Sequence, residues 1–222
     1  MRAIIPAAGW GRRLGSPPAK ELLPHPFYPS RTFLEVVLEM CQLFQLDPLV
    51  ISREDKVVLN NWLQKHVEKA NFQIIPPTQE WLETVWLSRI HWKAKNILLL
   101  PDVFFRPHSI IEDLQRSLDH YEMVVATHLV PIEQATQWGL LMDGGFLVEK
   151  PQQLPGVAKV LTQDRLMAWG LLAFRNTEPV QAFWEQYVKG YRESRMVALP
   201  TPWQQLNLEE FVDLTRGSIS FA

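Results

Sequence analysis

The sequence contains very little cysteine, since Cys41 is the only one in 222 residues. A lone cysteine cannot form an internal disulfide, so the chain is not expected to depend on an oxidising compartment. Long apolar runs are also missing, which excludes a helix that spans a bilayer. The formal net charge is only -2, so the surface has no general attraction for nucleic acid or anionic membranes. We therefore expect a cytoplasmic protein with no nucleic-acid and no membrane partner.

Apolar residues, by contrast, make up 47% of the sequence, which is enough for one large core. We therefore predict a single domain over residues 1–222. Strand patterns recur about every 25 residues with helix patterns between them, which predicts right-handed βαβ crossovers and a parallel sheet. The predicted strands lie at 3–7, 49–52, 72–75, 96–100 and 122–130, the first helix at 32–46, and a capping-box-like start of the second helix at 52–55. The expected fold class is α/β and Rossmann-like, with three αβα layers and a mixed, mostly parallel sheet.

The first predicted strand leads into the clearest chemical pattern, at residues 3–24. Gly9 and Gly11 have no Cβ, so a loop that contains them can turn its backbone N–H groups towards an anion. Arg12, Arg13 and Lys20 follow and place positive charge where a polyphosphate would lie. The same residues could instead form an ordinary glycine turn with a solvated basic rim, and the two glycines alone do not decide between these alternatives.

A single acidic residue, Asp102, follows the continuous apolar run at 96–100. The carboxyl ends of parallel strands meet at one edge of a sheet, so Asp102 is expected to face the same crevice as the glycine loop. A carboxylate in that position could bind Mg²⁺ against triphosphate oxygens. It could equally make a local turn bond after Pro101.

The second half of the sequence contains a strand, a turn and another strand. Asp143, Gly144 and Gly145 are a hairpin signal, and Glu149 and Lys150 end the following strand. Charged residues after a strand are often only solvated, so these two residues do not by themselves indicate a site.

Several of these segments resemble the signature of the nucleotidyltransferases that join a nucleoside triphosphate to a sugar phosphate. Residues 7–14 match A-A-G-x-G-x-R-[LM], and residues 20–24 match most of P-K-x-L-[LP], with Ala19 where the family has proline. Asp102 lies in a phrase similar to the family's L-L-x-x-D-x-x-F, and residues 138–151 are similar to its W-G, D/G turn and E-K-P series. The resemblance implies the nucleotide-diphospho-sugar transferase fold.

The resemblance also implies a reaction, in which a nucleoside triphosphate and a sugar 1-phosphate give a nucleotide-sugar and pyrophosphate with the help of Mg²⁺. It implies catalytic roles for Arg13, Lys20 and Asp102. It implies nucleotide-binding roles for Ala8, Gly9, Gly11, Arg12 and Gln79, acceptor-binding roles for Gly139, Glu149, Lys150 and Gly170, and metal binding by Asp102 and Asp213. The implied partners are therefore the two substrates, and an oligomer is left open.

Two positions depart from the family pattern. Glu83 stands where the family has a glycine that lies close to the base and ribose, so it adds bulk and negative charge there. Thr215 stands where the family has glycine after the second metal aspartate, so Asp213 could also be a simple turn residue. A cytidylyltransferase for a polyol phosphate, or a non-catalytic sensor of nucleotides or sugar phosphates, would have the same fold. The base, the acceptor and the pathway stay open.

Overall fold

The structure is a computed structural model that describes residues 1–9, 19–131, 138–148, 165–191 and 196–214. The chain divides into two compact units, one of Met1–Phe104 with Phe211–Ala222 and the other of Phe105–Glu210. We describe each unit by itself, and the single domain over residues 1–222 stays a prediction. None of the helices in the described part of the chain is long and apolar enough to cross a membrane.

Strands and helices alternate between residues 28 and 98, as the sequence pattern predicts, whereas the last three strands follow one another directly. The strands are β1 (Arg2–Pro6), β2 (Pro24–His25), β3 (Tyr28–Thr32), β4 (Asp47–Arg53), β5 (Phe72–Ile75), β6 (Lys95–Leu98), β7 (Val103–Arg106), β8 (Met123–Pro131), β9 (Leu140–Met142), β10 (Phe146–Val148), β11 (Arg165–Arg175), β12 (Val197–Ala198), β13 (Trp203–Asn207) and β14 (Glu210–Asp213). The helices are α1 (Phe33–Leu43), α2 (Val57–His66), α3 (Trp81–Leu87), α4 (Ile110–Ser117) and α5 (Glu178–Tyr191), with 3-10 turns at Lys20–Leu22, Lys69–Asn71 and Ser88–His91.

The first unit is built on a parallel sheet with the strand order β6-β1-β4-β5. Ile4 in the central strand lies opposite Leu49 on one side and Leu98 on the other, and all three are buried. Such continuous apolar strands are typical of parallel sheets that are covered on both faces. The predicted strands of this unit are therefore confirmed.

The two helices that flank β4 begin in different ways. Thr32 and Glu35 form a capping box at the start of α1, where each side chain bonds the backbone N–H of the other residue. The predicted capping box at 52–55 is wrong. Ser52 and Arg53 still belong to β4, where they lie opposite Ile74 and Ile75 of β5, so α2 begins only after Lys56.

The second unit contains a mixed sheet with the order β13-β8-β11 followed by β9, β10 and β12. The β13–β8 pair is parallel and the other pairs are antiparallel. Gly144 and Gly145 have φ values of 80° and 79° in the turn between β9 and β10, which confirms the predicted hairpin. The expected α/β class with a mixed sheet is also confirmed.

Candidate active site

The carboxyl edge of the parallel sheet brings together two residues that are far apart in the sequence. Lys20 lies in the 3-10 turn Lys20–Leu22, and Asp102 lies in the turn between β6 and β7. The ammonium Nζ of Lys20 is 2.5 Å from Oδ2 of Asp102, and both side chains are partly exposed, at 15% and 20%. The predicted catalytic lysine and metal-binding aspartate therefore form a partly exposed ion pair.

The end of β1 lies beside this ion pair. Ala8 is buried and Gly9 is half-buried after β1 has ended. A Cβ placed on Gly9 would lie only 3.3 Å from Cε and 3.4 Å from Nζ of Lys20. Glycine at this position therefore leaves room for the lysine side chain to lie against the backbone. The structure thus brings Gly9, Lys20 and Asp102 together, whereas Gly11, Arg12 and Arg13 lie outside the described residues.

A second ion pair, which sequence reasoning missed, lies next to the first. Nζ of Lys56 donates hydrogen bonds to the carbonyl oxygens of Ala7 and Gly9, at 2.9 and 3.0 Å, and to Oε2 of Glu21 at 2.6 Å. The two side chains are almost fully buried, with exposed fractions of 5% for Lys56 and 0% for Glu21. An ammonium group has three N–H donors, so every donor of Lys56 has an acceptor.

Burial and charge oppose each other within this second pair. Burial raises the pKa of Glu21 and lowers the pKa of Lys56, while the attraction between the two groups acts against both shifts. Lysine and glutamate are rarely buried unless they are paired, and nothing in the sequence marks these two as partners. The only available signal is that Glu21 directly follows Lys20 within an otherwise apolar segment.

A buried arginine fixes the loop that carries the predicted base-reading residue. Arg53 is 1% exposed, and its guanidinium bonds both carboxylate oxygens of Asp55 and the carbonyl oxygen of Thr78. Oγ1 of Thr78 also lies 2.9 Å from Oγ1 of the buried Thr84. These contacts hold the segment before α3 against the end of β4, and the exposed Gln79 follows directly.

Glu83, which departs from the family pattern, has a local role in the structure. Its Oε2 accepts a hydrogen bond of 2.9 Å from the backbone N–H of Gln79. It lies in the first turn of α3, where a negative charge is favourable near the helix N-terminus. The carboxylate therefore satisfies the backbone that leads into this helix.

The backbones at Asp102 and Asp213, the two predicted metal ligands, lie close together in space. The N–H of Leu214 donates a hydrogen bond of 2.8 Å to the carbonyl oxygen of Asp102, so Asp213 lies next to it at the end of β14. Within the described ranges there is no group of three or more His, Cys, Asp or Glu side chains that could hold a metal. A single carboxylate is nevertheless a typical protein contribution to Mg²⁺ binding, because substrate phosphates and water complete its shell. Asp102 therefore fits the ion, and Mg²⁺ stays a prediction.

The second unit contains two of the predicted acceptor-binding residues. The N–H of Trp169 donates a hydrogen bond of 3.0 Å to the carbonyl oxygen of Gly139, and the β11–β8 register shifts at Gly170. The structure therefore brings the backbones of these two glycines together. Glu149 and Lys150 lie outside the described residues, so their roles stay predictions.

Comparisons with known proteins show which proteins this chain is similar to. No protein-family model matches the chain. The chain is 28% identical over 205 residues to the 2-C-methyl-D-erythritol 4-phosphate cytidylyltransferase of Symbiobacterium thermophilum, covering 87% of this chain and 73% of that protein.

Solved structures give a closer view of the fold. A protein from Bacillus anthracis assigned as a glucose-1-phosphate thymidylyltransferase superposes with a TM-score of 0.67 at 14% identity, over 97% of this chain and 90% of its own. The UDP-glucose pyrophosphorylase of Acinetobacter baumanii gives a TM-score of 0.62 at 15% identity, over 96% and 88%. The resemblance predicted from the sequence is thus confirmed in the fold, and this chain folds as the sugar-phosphate nucleotidyltransferases do.

Proposed function

We propose that this protein is a Mg²⁺-dependent nucleotidyltransferase that joins a nucleoside triphosphate to a sugar 1-phosphate and releases pyrophosphate. The observation that carries the proposal is the 2.5 Å contact between Lys20 and Asp102 beside Gly9, at the carboxyl edge of a parallel sheet. Ligands bind at this edge in open α/β sheets. The names of the superposed structures and of the curated relative all describe nucleotidyl transfer or the synthesis of a nucleotide-sugar.

In the proposed reaction, a phosphate oxygen of the acceptor attacks the α-phosphorus of the triphosphate. The new P–O bond forms as the bond between the α-phosphorus and the bridging oxygen breaks, and pyrophosphate leaves with the electron pair. No protein nucleophile is required, because positioning and charge neutralisation lower the barrier.

The residues at the sheet edge supply both effects. The Lys20 ammonium would neutralise charge that develops on the α-phosphate, and backbone N–H groups of the segment that begins with Ala8 and Gly9 would bind the triphosphate. Arg13 would neutralise the leaving pyrophosphate. Asp102, with Asp213, would hold Mg²⁺, which supplies positive charge to the phosphate oxygens.

The acceptor is proposed to be bound by residues of the second unit. In the resembled family the glutamate and lysine of the E-K-P phrase contact the sugar and its phosphate, which gives these roles to Glu149 and Lys150. The backbone near Gly139 and Gly170 would lie beside the sugar. A location in the cytoplasm is part of the same proposal, because the single, buried Cys41 cannot form an internal disulfide.

A cytidylyltransferase for a polyol phosphate is the second candidate. The observation that favours it is the 28% identity to the Symbiobacterium thermophilum protein, whose acceptor is 2-C-methyl-D-erythritol 4-phosphate by name. Both candidates share the sheet edge and differ in the base and the acceptor. A substrate panel therefore distinguishes them.

The test is pyrophosphate release from CTP, UTP, dTTP, GTP and ATP, each with glucose 1-phosphate, mannose 1-phosphate or 2-C-methyl-D-erythritol 4-phosphate. The reactions are run with Mg²⁺ and, separately, with excess EDTA. We expect release in one combination, its loss in EDTA, and its loss in Lys20→Met. Lys93→Met is the matched control, because Lys93 also pairs with an aspartate at 2.5 Å, Asp47 at the start of β4. Nucleotide binding without release in any mixture would indicate a sensor, and the absence of both would contradict any nucleotide-handling role.

A further inference from the structure

We infer that Lys56 and Glu21 are positioning residues, which set the orientation of the backbone after β1 and of the turn that carries Lys20. This inference rests on the proposed function, because it concerns how the nucleotide-binding segment is held. The two residues need not touch the nucleotide. They contact instead the two segments that form the proposed phosphate site, namely the backbone after β1 and the turn that carries Lys20.

The backbone at residues 7–9 is held first by the sheet and then by Lys56. The N–H of Ala7 still donates to the carbonyl oxygen of Ile51, so the parallel ladder continues to this residue. Beyond it, the carbonyl oxygens of Ala7 and Gly9 both accept from the same Lys56 ammonium. Buried carbonyl groups need such partners, and here a side chain provides them where β1 has ended.

The Lys56 contact also fixes the direction in which the peptide groups after β1 point. In a planar trans peptide the C=O and N–H bonds point in opposite directions. Because the Ala7 carbonyl points at Nζ of Lys56, the N–H of Ala8 in the same peptide points away from it. Lys56 therefore selects which side of the chain presents carbonyl oxygens and which side presents N–H donors. An anion site requires the donors to face outwards.

The same ammonium connects this backbone to Lys20 through Glu21. Glu21 is the anionic partner of Lys56 and is the next residue after Lys20, within the same 3-10 turn. The turn is closed by hydrogen bonds from the N–H of Leu22 to Ala19 and from the N–H of Leu23 to Lys20. One buried ammonium thus fixes the Gly9 backbone and the turn from which Lys20 reaches Asp102.

Energetics favour positioning over stability as the reason for this pair. Buried ion pairs are weak evidence for stability, since apolar replacements of similar volume are often neutral or stabilising. Oε1 of Glu21 is buried and has no hydrogen-bond partner in the part of the chain that the structure describes. Such an arrangement adds little to stability, and its geometric effect is to direct two backbone carbonyl oxygens and one lysine turn.

The test uses a double variant that removes both charges, Lys56→Met with Glu21→Leu. Hydrogen–deuterium exchange reports directly on the backbone at residues 7–9 and on the turn at 20–22, and it needs no nucleotide. We expect peptides that cover residues 1–9 and 19–24 to exchange faster, while peptides from β5 and β6 keep their protection. The matched control is Arg2→Met with Asp47→Leu, which removes a partly buried pair at the opposite edge of the sheet. Unchanged exchange at 1–9 and 19–24 would overturn the inference.

Kinetics then separate this inference from the proposed function. With the nucleotide that supports turnover, we expect the double variant to lose at least tenfold in kcat/KM while its Tm stays within a few degrees. Wild-type kinetics in a fully folded double variant would also overturn the inference. If the wild type releases no pyrophosphate, the proposed function falls, and the exchange experiment still decides the inference. Should the double variant not fold, Glu21→Gln, which removes the charge at nearly constant shape, replaces it with the same expected directions.

Discussion

Two lysine–carboxylate pairs lie side by side in the first unit, and they differ mainly in what surrounds them. Lys20 and Asp102 are partly exposed, and under the proposed function the ammonium would bind a substrate phosphate and the carboxylate a cation. Lys56 and Glu21 are enclosed, and the ammonium is fully occupied by protein acceptors. If the proposed function holds, one lysine–carboxylate pair contacts the substrates, while the other only orients the backbone. Consecutive residues, Lys20 and Glu21, belong to the two different pairs.

The largest expected effect comes from breaking the buried pair on one side. Lys56→Met leaves the Glu21 carboxylate buried without its cation, and we expect the free energy of unfolding to fall by about 3–5 kcal/mol. The double variant with Glu21→Leu should recover most of this loss. Urea unfolding monitored by circular dichroism measures both. Additive losses in the two single variants and the double variant would contradict the coupling between these residues.

Breaking the partly exposed Lys20–Asp102 pair should reduce activity more than stability. Lys20→Met removes a charged donor from the proposed transition-state site, so we expect kcat to fall by about 10²–10³-fold. Its unfolding free energy should fall by less than that of Lys56→Met, because the Lys20–Asp102 pair is partly exposed whereas the Lys56–Glu21 pair is enclosed. Pyrophosphate release and urea unfolding are measured on the same preparations, with Lys93→Met as the control. A large loss of stability with unchanged kcat would make Lys20 structural.

A smaller effect is expected where the two pairs meet, at Gly9. Gly9→Ala would place Cβ within 3.3 Å of Cε of Lys20, so the lysine must shift by a few tenths of an ångström. We expect a loss in kcat/KM of roughly tenfold, since small misplacements of catalytic groups are costly. Gly144→Ala is unsuitable as a control because of its positive φ. Ser30→Ala, at an exposed position of β3, is a better one.

The sequence predicts that Asp102 faces the same crevice as the segment that carries Lys20, but it does not predict their ion pair, and it gives no sign of the Lys56–Glu21 pair. Lys20 and Asp102 lie in a glycine-and-lysine pattern and after a continuous apolar strand, and both features have a direct physical meaning. Lysine and glutamate usually lie at the surface, and only the fold shows that Lys56 and Glu21 are buried. The sequence can indicate which strand a residue follows, but not which buried acceptors will surround its side chain.

The predicted boundaries of the first two helices also differ from the observed ones because of contacts that the local sequence does not show. The predicted first helix at 32–46 is observed as Phe33–Leu43, and Gln45 then has a φ of 52°, which is incompatible with its continuation. The capping box expected at 52–55 is absent because pairing with β5 extends β4 through Arg53. In both cases a tertiary or backbone contact overrides the local pattern. Glu83 accepts a hydrogen bond from the backbone N–H of Gln79, and its effect on nucleotide binding stays a prediction.

The smallest expected effect concerns a buried titratable group that has no opposite charge to pair with among the residues that the structure describes. His25 is 2% exposed, lies among Phe27, Tyr28, Phe33 and Phe104, and accepts a hydrogen bond at Nδ1 from the N–H of Phe27. Burial lowers the pKa of His25 below its usual value of about 6.5. The unfolded chain therefore takes up a proton at a higher pH than the folded protein does. Its contribution to stability is complete above the unfolded pKa and is lost as pH falls towards the folded pKa.

His25 tests what burial does to a titratable group without a counter-charge among the described residues, whereas Lys56 and Glu21 are buried together as opposite charges. We expect the Tm of the wild type to decline more steeply between about pH 7.5 and 5.5 than that of His25→Phe. Some slope should remain in the variant, since burial also lowers the pKa of His108. His120→Gln, at an exposed position, removes one histidine as a control. Equal slopes in wild type and His25→Phe would mean that the folded protein protonates His25 as readily as the unfolded chain does. In that case the aromatic cluster would tolerate a charge that Lys56 requires a carboxylate to balance.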